Sequence, residues 1–329
     1  MKLLNQYTLA ALVLTLIMHN VCCAWSEGGH HVVALLAYDL LTEAEQAEVL
    51  SILEQHPRFA HDFRPPRKIR DTERWRIGRA GFWPDVARNL PEYNRPNWHY
   101  QPGKALTIGN EQMLNILQSP GPCPVEASLD SEELHIAQAV ELCRRVLSDQ
   151  TQPAGDRAIA LSWLAHLVAD AHQPCHAGSL YAEDVFPEGD RQANLIKIVR
   201  GKSLHGLWDG LLSQRYDEQE VSDQIDEITH GGDAMKAGPG ARRRPDSLNP
   251  LTWIDESRTH ARSLVYSSEV LGPIRATVEG MADEVPRIDL TDAYLERAKS
   301  LAEVRAVQAA YRLAEIWREA LDSESHKQE

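Results

Sequence analysis

The chain has 329 residues, enough for one or two domains around a large buried core. Apolar residues make up 43% and charged residues 25%, which excludes a disordered or low-complexity chain. Lys plus Arg total 34 against 48 Asp plus Glu, a formal net charge of −14. Taken alone, that charge argues against a partner such as nucleic acid or an anionic membrane, whose binders carry a basic face.

The first 24 residues read as an export signal. Lys2 supplies the positive start, and residues 9–18 form an apolar run too short to span a bilayer. Cys22 and Ala24 are the small residues of a cut after Ala24. Cys22 is a poor lipidation site because His19, Asn20 and Val21 precede it. No other segment approaches membrane-spanning length, so no membrane is expected as a partner of the mature form. The expected mature chain, 25–329, begins at Trp25 with a free α-amino group, outside the cytoplasm. Cleavage removes Cys22 and Cys23 and leaves Cys123, Cys143 and Cys175. Three thiols allow one disulfide at most. Cys123 with Cys143 is the favoured pair, although sequence leaves the connectivity open.

Helical signals dominate the mature chain. Thr42 with Glu45 is a capping box opening a helix to about Gln55. Residues 59–102, rich in Pro and Arg, read as irregular. A helix is expected from Asp130, with Ile136, Val140, Cys143 and Leu147 at helical spacing. Another runs from about Asp156 and stops before Pro174. Residues 231–250 read as a surface loop whose Arg242, Arg243 and Arg244 form a solvated edge. A last helix runs from Thr291 or Asp292 to about Leu321. Strand-like alternation is scarce and no repeat occurs. The expected fold is mainly α, in a single compact multi-helix domain.

The chemistry concentrates in a few short stretches. His166 and Asp170 are four apart on the expected helix and share a face, and His176 comes just past the Pro174 break. His205 and Asp209 repeat the spacing. Imidazole nitrogen and carboxylate oxygen are a usual zinc donor set, and one helix can present two of them to one ion. A single such pair is more often a local ion pair. Two pairs, one beside a further His, favour metal binding. His172 sits off the shared face and reads either as a support behind the ligands or as structural. Upstream, Asp85 and Arg88 lie three apart after Trp83-Pro84, His99 sits between Trp98 and Tyr100, and Trp25 opens a Trp-Ser-Glu-Gly-Gly-His stretch ending at His30.

In this order, these motifs resemble the zinc-dependent S-one/P-one (S1/P1) nuclease family, also called single-strand nucleases or 3'-nucleotidases. The likeness rests on WxxxGH at Trp25–His30, WPDxxR at Trp83–Arg88, WHY at Trp98–Tyr100, HxxxDxHQPxH at His166–His176 and LHxxWD at Leu204–Asp209. The Trp253–Ser257 segment resembles the family's later helical part. The resemblance implies an all-helical fold of the phospholipase C/P-one nuclease type, three zinc ions and hydrolysis of single-stranded DNA or RNA to 5'-nucleotides. It would place Asp85, His99, His166 and Asp170 on one zinc, and His176, His205 and Asp209 on a second. The third would take the Trp25 amino and carbonyl groups, His30 and a bridging Asp170. Asp85 and Arg88 would be catalytic, Arg88 by stabilising charge on the phosphorane. Tyr100 would stack an unpaired base, and Asn194 would contact it. No obligate protein partner is implied.

Three positions depart from the family pattern. Pro102 stands where a base-reading Asp is usual, Gln192 and Ala193 replace two glycines of a DRGGN run, and Cys175 replaces a Leu. The first two bear on base recognition and leave the ligand set intact. The sequence has no N-x-Ser/Thr acceptor, which with the signal favours a bacterial periplasmic or secreted enzyme. Two other readings are a zinc phospholipase C and an exported zinc-binding protein without turnover. The opening charge also changes meaning. Loss of Lys2 takes −14 to −15, three zinc ions would return six positive charges, and Asp85, Asp170 and Asp209 become ligands instead of repulsive surface. A small cleft gripping one phosphate and one unpaired base fits that balance better than a long duplex footprint.

Overall fold

Ser26 opens α1 (Glu27–Asp39), a helix buried almost all round from Gly28 to Tyr38. The structure is a computed structural model describing residues 25–231, 233–242 and 246–322. The expected signal segment, Arg243 and Arg244 lie outside the described residues, as does the side chain of Arg242. α2 (Glu43–Glu54) starts at the expected capping box, with the Thr42 hydroxyl accepting from the Glu45 N–H and Glu45 Oε2 accepting from the Thr42 N–H. One turn, α3 (Phe59–Asp62), leads to α4 (Thr72–Val86).

α4 corrects the expectation of an irregular 59–102. Asp71 caps it by accepting from the Arg74 N–H at 3.0 Å. Pro84 falls in its last turn, where one backbone bond is lost, and burial of Trp75, Ile77, Ala80 and Trp83 holds the helix despite that loss. α5 (Ile136–Ser148) begins later than expected. Asp130 instead accepts from the buried Arg95 guanidinium at 3.1 Å, outside any helix. α6 (Ala154–His172) is buried all round from Ala158 onward and ends before Pro174, as the proline requires.

The two short strands β1 (Lys104–Ile108) and β2 (Ser179–Ala182) pair in parallel, with a bulge between Lys104 and Leu106. Then come α7 (Leu204–Asp209), α8 (Glu218–Asp226) and α9 (Ala237–Arg242). α9 lies inside the expected loop at 231–250. Gly238 explains the difference: a Cβ there would sit 2.2 Å from the Tyr311 ring, so only glycine lets this short helix lie against its neighbour. α10 (Pro250–His260), α11 (Ser268–Val278) and the long α12 (Asp292–Asp322) complete the chain. No helix among the described residues is long and apolar enough to cross a membrane.

The fold is mainly α, with two apolar clusters. The larger joins α1, α2, α4, α5, α6 and the C-terminal half of α12. The smaller gathers the strands, Leu204 and Trp208 of α7, and Val270 and Ile274 of α11. The expected Cys123–Cys143 disulfide is absent. Cys123, Cys143 and Cys175 are all thiols. Cys143 faces the apolar core, where burial raises its thiol well above the usual range, while Cys123 Sγ turns to the Pro124 carbonyl at 3.6 Å.

One charged network crosses the interior. Glu256 of α10 accepts from Arg305 and from both Nη atoms of Arg312, at 2.7–2.8 Å, and both arginines are buried on α12. Arg305 also donates to the His172 carbonyl, and Arg312 donates to His172 Nε2, so His172 is structural, one of its two expected roles. Burial pushes the Glu256 carboxyl up, but the two guanidiniums outweigh it and hold it at about 2. A carboxyl depressed on folding contributes fully above its ordinary value near 4.5, and that stability is lost as pH falls through about 2. Glu256→Gln strands two buried cations, so it should cost about 3 kcal/mol at pH 7. It should also flatten the acid limb between pH 4.5 and 2. Urea midpoints at several pH values check both.

Candidate metal centre

The site sits where the two apolar clusters meet. α6 brings His166 and Asp170 from one side, and α7 brings His205 and Asp209 from the other. Within the first group, His166 Nε2 lies 3.1 Å from Asp170 Oδ2 and 2.8 Å from His99 Nδ1. His99 Nδ1 is 3.3 Å from the same carboxylate oxygen and 3.9 Å from Asp85 Oδ1. The other oxygen of Asp170 faces His30 Nε2 at 3.3 Å, and the His30 and His166 rings stack at 4.1 Å. Asp170 therefore spreads its two oxygens between His30 on α1 and the His99–His166 pair. In the second group, His205 Nε2 lies 3.2 Å from His176 Nε2 and 3.3 Å from Asp209 Oδ2.

Backbone carbonyls orient these imidazoles. His166 Nδ1–H donates to the Gly81 carbonyl at 2.8 Å, and His205 Nδ1–H donates to the Gln192 carbonyl at 2.5 Å. His176 Nδ1–H donates to the carbonyl of His99. A carbonyl only accepts, so each Nδ1 carries a proton and each Nε2 faces the centre. Gln173 Nε2 donates to Asp209 Oδ1 at 2.8 Å and fixes that carboxylate. Trp25 is buried, its indole N–H donates to the Ala169 carbonyl, and the Ser26 N–H donates to the Asp209 carbonyl. The start of the described chain is thus stitched to both groups.

Charge favours a cation here. Burial would raise Asp85 and Asp170. His166 and Arg88 outweigh it for Asp85, and the surrounding imidazoles do so for Asp170, so both stay anionic. Burial lowers His30, takes His99 down to about 4 and takes His176 down to about 3, which keeps their lone pairs available. His166 moves the other way, because Asp170 and Asp85 outweigh its burial. A divalent ion on Nε2 would replace that proton.

Buried polar atoms without a partner are costly and rare. Here His30 Nδ1, His99 Nε2 and Asp85 Oδ2 are buried without a hydrogen-bond partner among the described residues. Donor atoms of His30, Asp85 and His166 lie within 4.8 Å of one another, as do those of His99, His166 and Asp170, and those of His176, His205 and Asp209. Nitrogen and oxygen donors, crowded and partly orphaned, fit zinc. Eight of the nine expected ligand residues therefore come together, with Trp25 adjacent.

Arg88 is held on Asp85 Oδ1 through Nε at 2.6 Å, at the edge of the first group. Tyr100 is next to His99 in the chain and is half-buried. Its ring meets His135 edge-on at 5.2 Å and its hydroxyl donates to Asn97 Oδ1. Asn194 donates through Nδ2 to the Arg191 carbonyl at the end of a turn. That turn has Arg191, Gln192 and Ala193 at φ 54°, 54° and 66°, a left-handed backbone that glycine adopts more easily than these residues do. Asp190 anchors it, fully buried, accepting from the Tyr266 hydroxyl at 2.8 Å. Sequence reasoning missed the orienting roles of Gln173, Gly81, Gln192 and Ser26. Only Gln173, next to the Pro174 break, left a signal in the side-chain sequence.

A family model described as S1/P1 nuclease matches residues 25–322. Among curated proteins, Endonuclease 3 of Arabidopsis thaliana is 21% identical over 230 residues, 69% of this chain and 67% of that protein. A family match running from the buried Trp25 to the end of α12, with both donor groups inside it, means that the chain belongs to the S1/P1 nuclease family.

Proposed function

We propose that the chain is a zinc-dependent phosphodiesterase that hydrolyses single-stranded DNA and RNA, and 3'-nucleotides, to 5'-nucleotides. The observation that carries this reading is the pair of buried His/Asp groups with orphaned donor atoms, in a chain of a nuclease family. His99, His166, Asp170 and Asp85 would hold one zinc, and His176, His205 and Asp209 a second. The Trp25 amino group and carbonyl, His30 and Asp170 would hold a third. When bound, zinc supplies Lewis acidity toward a phosphate and acidifies coordinated water to a pKa of about 7.

The chain's own groups do the rest. Asp85 anchors Arg88, whose planar guanidinium would stabilise charge gathering on the phosphate oxygens. Gly81, His99 and Gln192 keep protons on the Nδ1 atoms of the imidazoles they face. Tyr100 offers a half-exposed ring on which an unpaired base can stack, and Asn194 offers an amide to its edge. Only an unpaired base has a free face, so single strands are preferred. The reading extends to export, with cleavage after Ala24 freeing the Trp25 amine to bind metal.

The direct experiment assays single-stranded DNA, RNA and phosphatidylcholine side by side, before and after chelation. Nucleotide release that disappears with chelator and returns with zinc is expected. Lipid hydrolysis without nucleotide release would overturn the reading. Arg88→Met should lower kcat about 100-fold with little change in KM. One extra residue ahead of Trp25 should remove one zinc per chain by metal analysis and depress activity strongly. Full activity with a blocked amine would refute that ligand.

A further inference from the structure

The ligands of the two groups reach the centre on two segments that run side by side. His99 belongs to the first group and leads into β1. His176 belongs to the second and leads into β2. His176 Nδ1 donates to the His99 carbonyl, the Gln101 N–H donates to the His176 carbonyl at 2.8 Å, and the Ser179 N–H donates to the Gly103 carbonyl at 3.0 Å. This ladder sets how far apart the two ligands stand. It is interrupted in the middle. Pro102 has no N–H to give, and Gly178 turns with φ 156° so close that a Cβ would lie 2.9 Å from the Gly103 carbonyl oxygen.

Arg258 reaches this gap from α10. Its Nε donates to the Ala177 carbonyl at 2.7 Å, and its Nη2 donates to the Pro102 carbonyl at 3.0 Å and to Ser119 Oγ at 3.0 Å. Ala177 comes directly after His176, and Pro102 is three residues past His99. The side chain is only 17% exposed, and its remaining contact is a loose 3.4 Å approach to the exposed Asp255. One planar fork therefore grips both segments across the break. A lysine has a single ammonium and cannot span two carbonyls with the same rigidity.

We propose that Arg258 is a positioning residue that fixes the separation between the two halves of the metal centre. This rests on the metal-dependent reading of the site. Arg258 touches neither donor group among the contacts described, so its effect passes through the His99 and His176 segments. Ser119 is the outer end of the same clamp and contributes less, because it contacts only the Pro102 side.

The test uses the full chain loaded with cobalt(II) in place of zinc, as wild type, Arg258→Lys, Arg258→Met and Ser119→Ala. Circular dichroism reports the fold, chelator competition reports metal affinity, and visible absorption with EPR reports ligand geometry and coupling between ions. Amide exchange at Gln101 and Ser179, in metal-free protein, reports the ladder. Arg258→Lys should fold, bind its weakest cobalt about tenfold less tightly, shift the cobalt spectrum and exchange both amides faster. Ser119→Ala should keep the wild-type spectrum. A folded Arg258→Lys with wild-type affinity, spectrum and exchange overturns the proposal, and so does its failure to fold, since the clamp would then serve stability alone. Should only the methionine variant fail to fold, the lysine variant decides. A wild-type chain that takes up no cobalt would instead sink the metal-dependent reading itself.

Discussion

A carboxylate buried without a counter-charge is among the most expensive things a fold can contain. Asp170 is fully buried and faces three imidazoles, from His30, His99 and His166. That requirement organises the rest of the molecule. α6 must run through the centre of the larger cluster, because its middle packs there and its last turn delivers the charge. α1 and α4 must flank it, one to bring His30 and the other to give the Gly81 carbonyl and Asp85. The 99–104 segment must turn inward to bring His99. The Glu256 network locks the end of the same helix through His172, so the charged interior is braced on the side away from the centre.

The side-chain chemistry of this arrangement was legible in the sequence, and the backbone chemistry was not. His166 with Asp170, and His205 with Asp209, announce themselves because four-residue spacing and helical geometry put both groups on one face. The capping box at Thr42 and the stop at Pro174 are local and were readable for the same reason. α4 was hidden by Pro84, whose local penalty is outweighed by burial of Trp75 and Trp83 that no window of sequence reveals. α9 was hidden by Gly238, a poor helix former that is needed there for its close approach to Tyr311. The carbonyls of Gly81, His99 and Gln192 carry no residue identity at all. A backbone oxygen is the same chemical group whatever side chain goes with it, so tertiary structure alone discloses them. The thiols at Cys123 and Cys143 show the same limit, since orientation decides a disulfide and spacing does not.

The turn at Asp190–Asn194 holds an unusual backbone without glycine at its centre. Gln192 and Ala193 hold the left-handed backbone that glycine adopts without steric penalty, each at a cost of about 1 kcal/mol. Asp190, Tyr266 and Ser179 hold the turn by hydrogen bonds, with Ser179 Oγ accepting from the Gln192 N–H. What the turn must preserve is the Gln192 carbonyl facing His205.

The donors of the two groups come from segments widely separated along the chain, from His30 near the start of the described residues to Asp209 beyond its middle. Ions held in these groups, as proposed, would act as crosslinks that close loops of very different length at once. In an unfolded chain those loops are open, and closing them costs entropy that grows only slowly with their length. Under that proposal, metal affinity and cooperative folding would be two readings of one free energy. Were the proposed ions bound, losing them would leave carboxylates and mutually facing lone pairs crowded at the seam of the two apolar clusters, so that seam, between α6 and α7, would be the part of the molecule that metal holds shut.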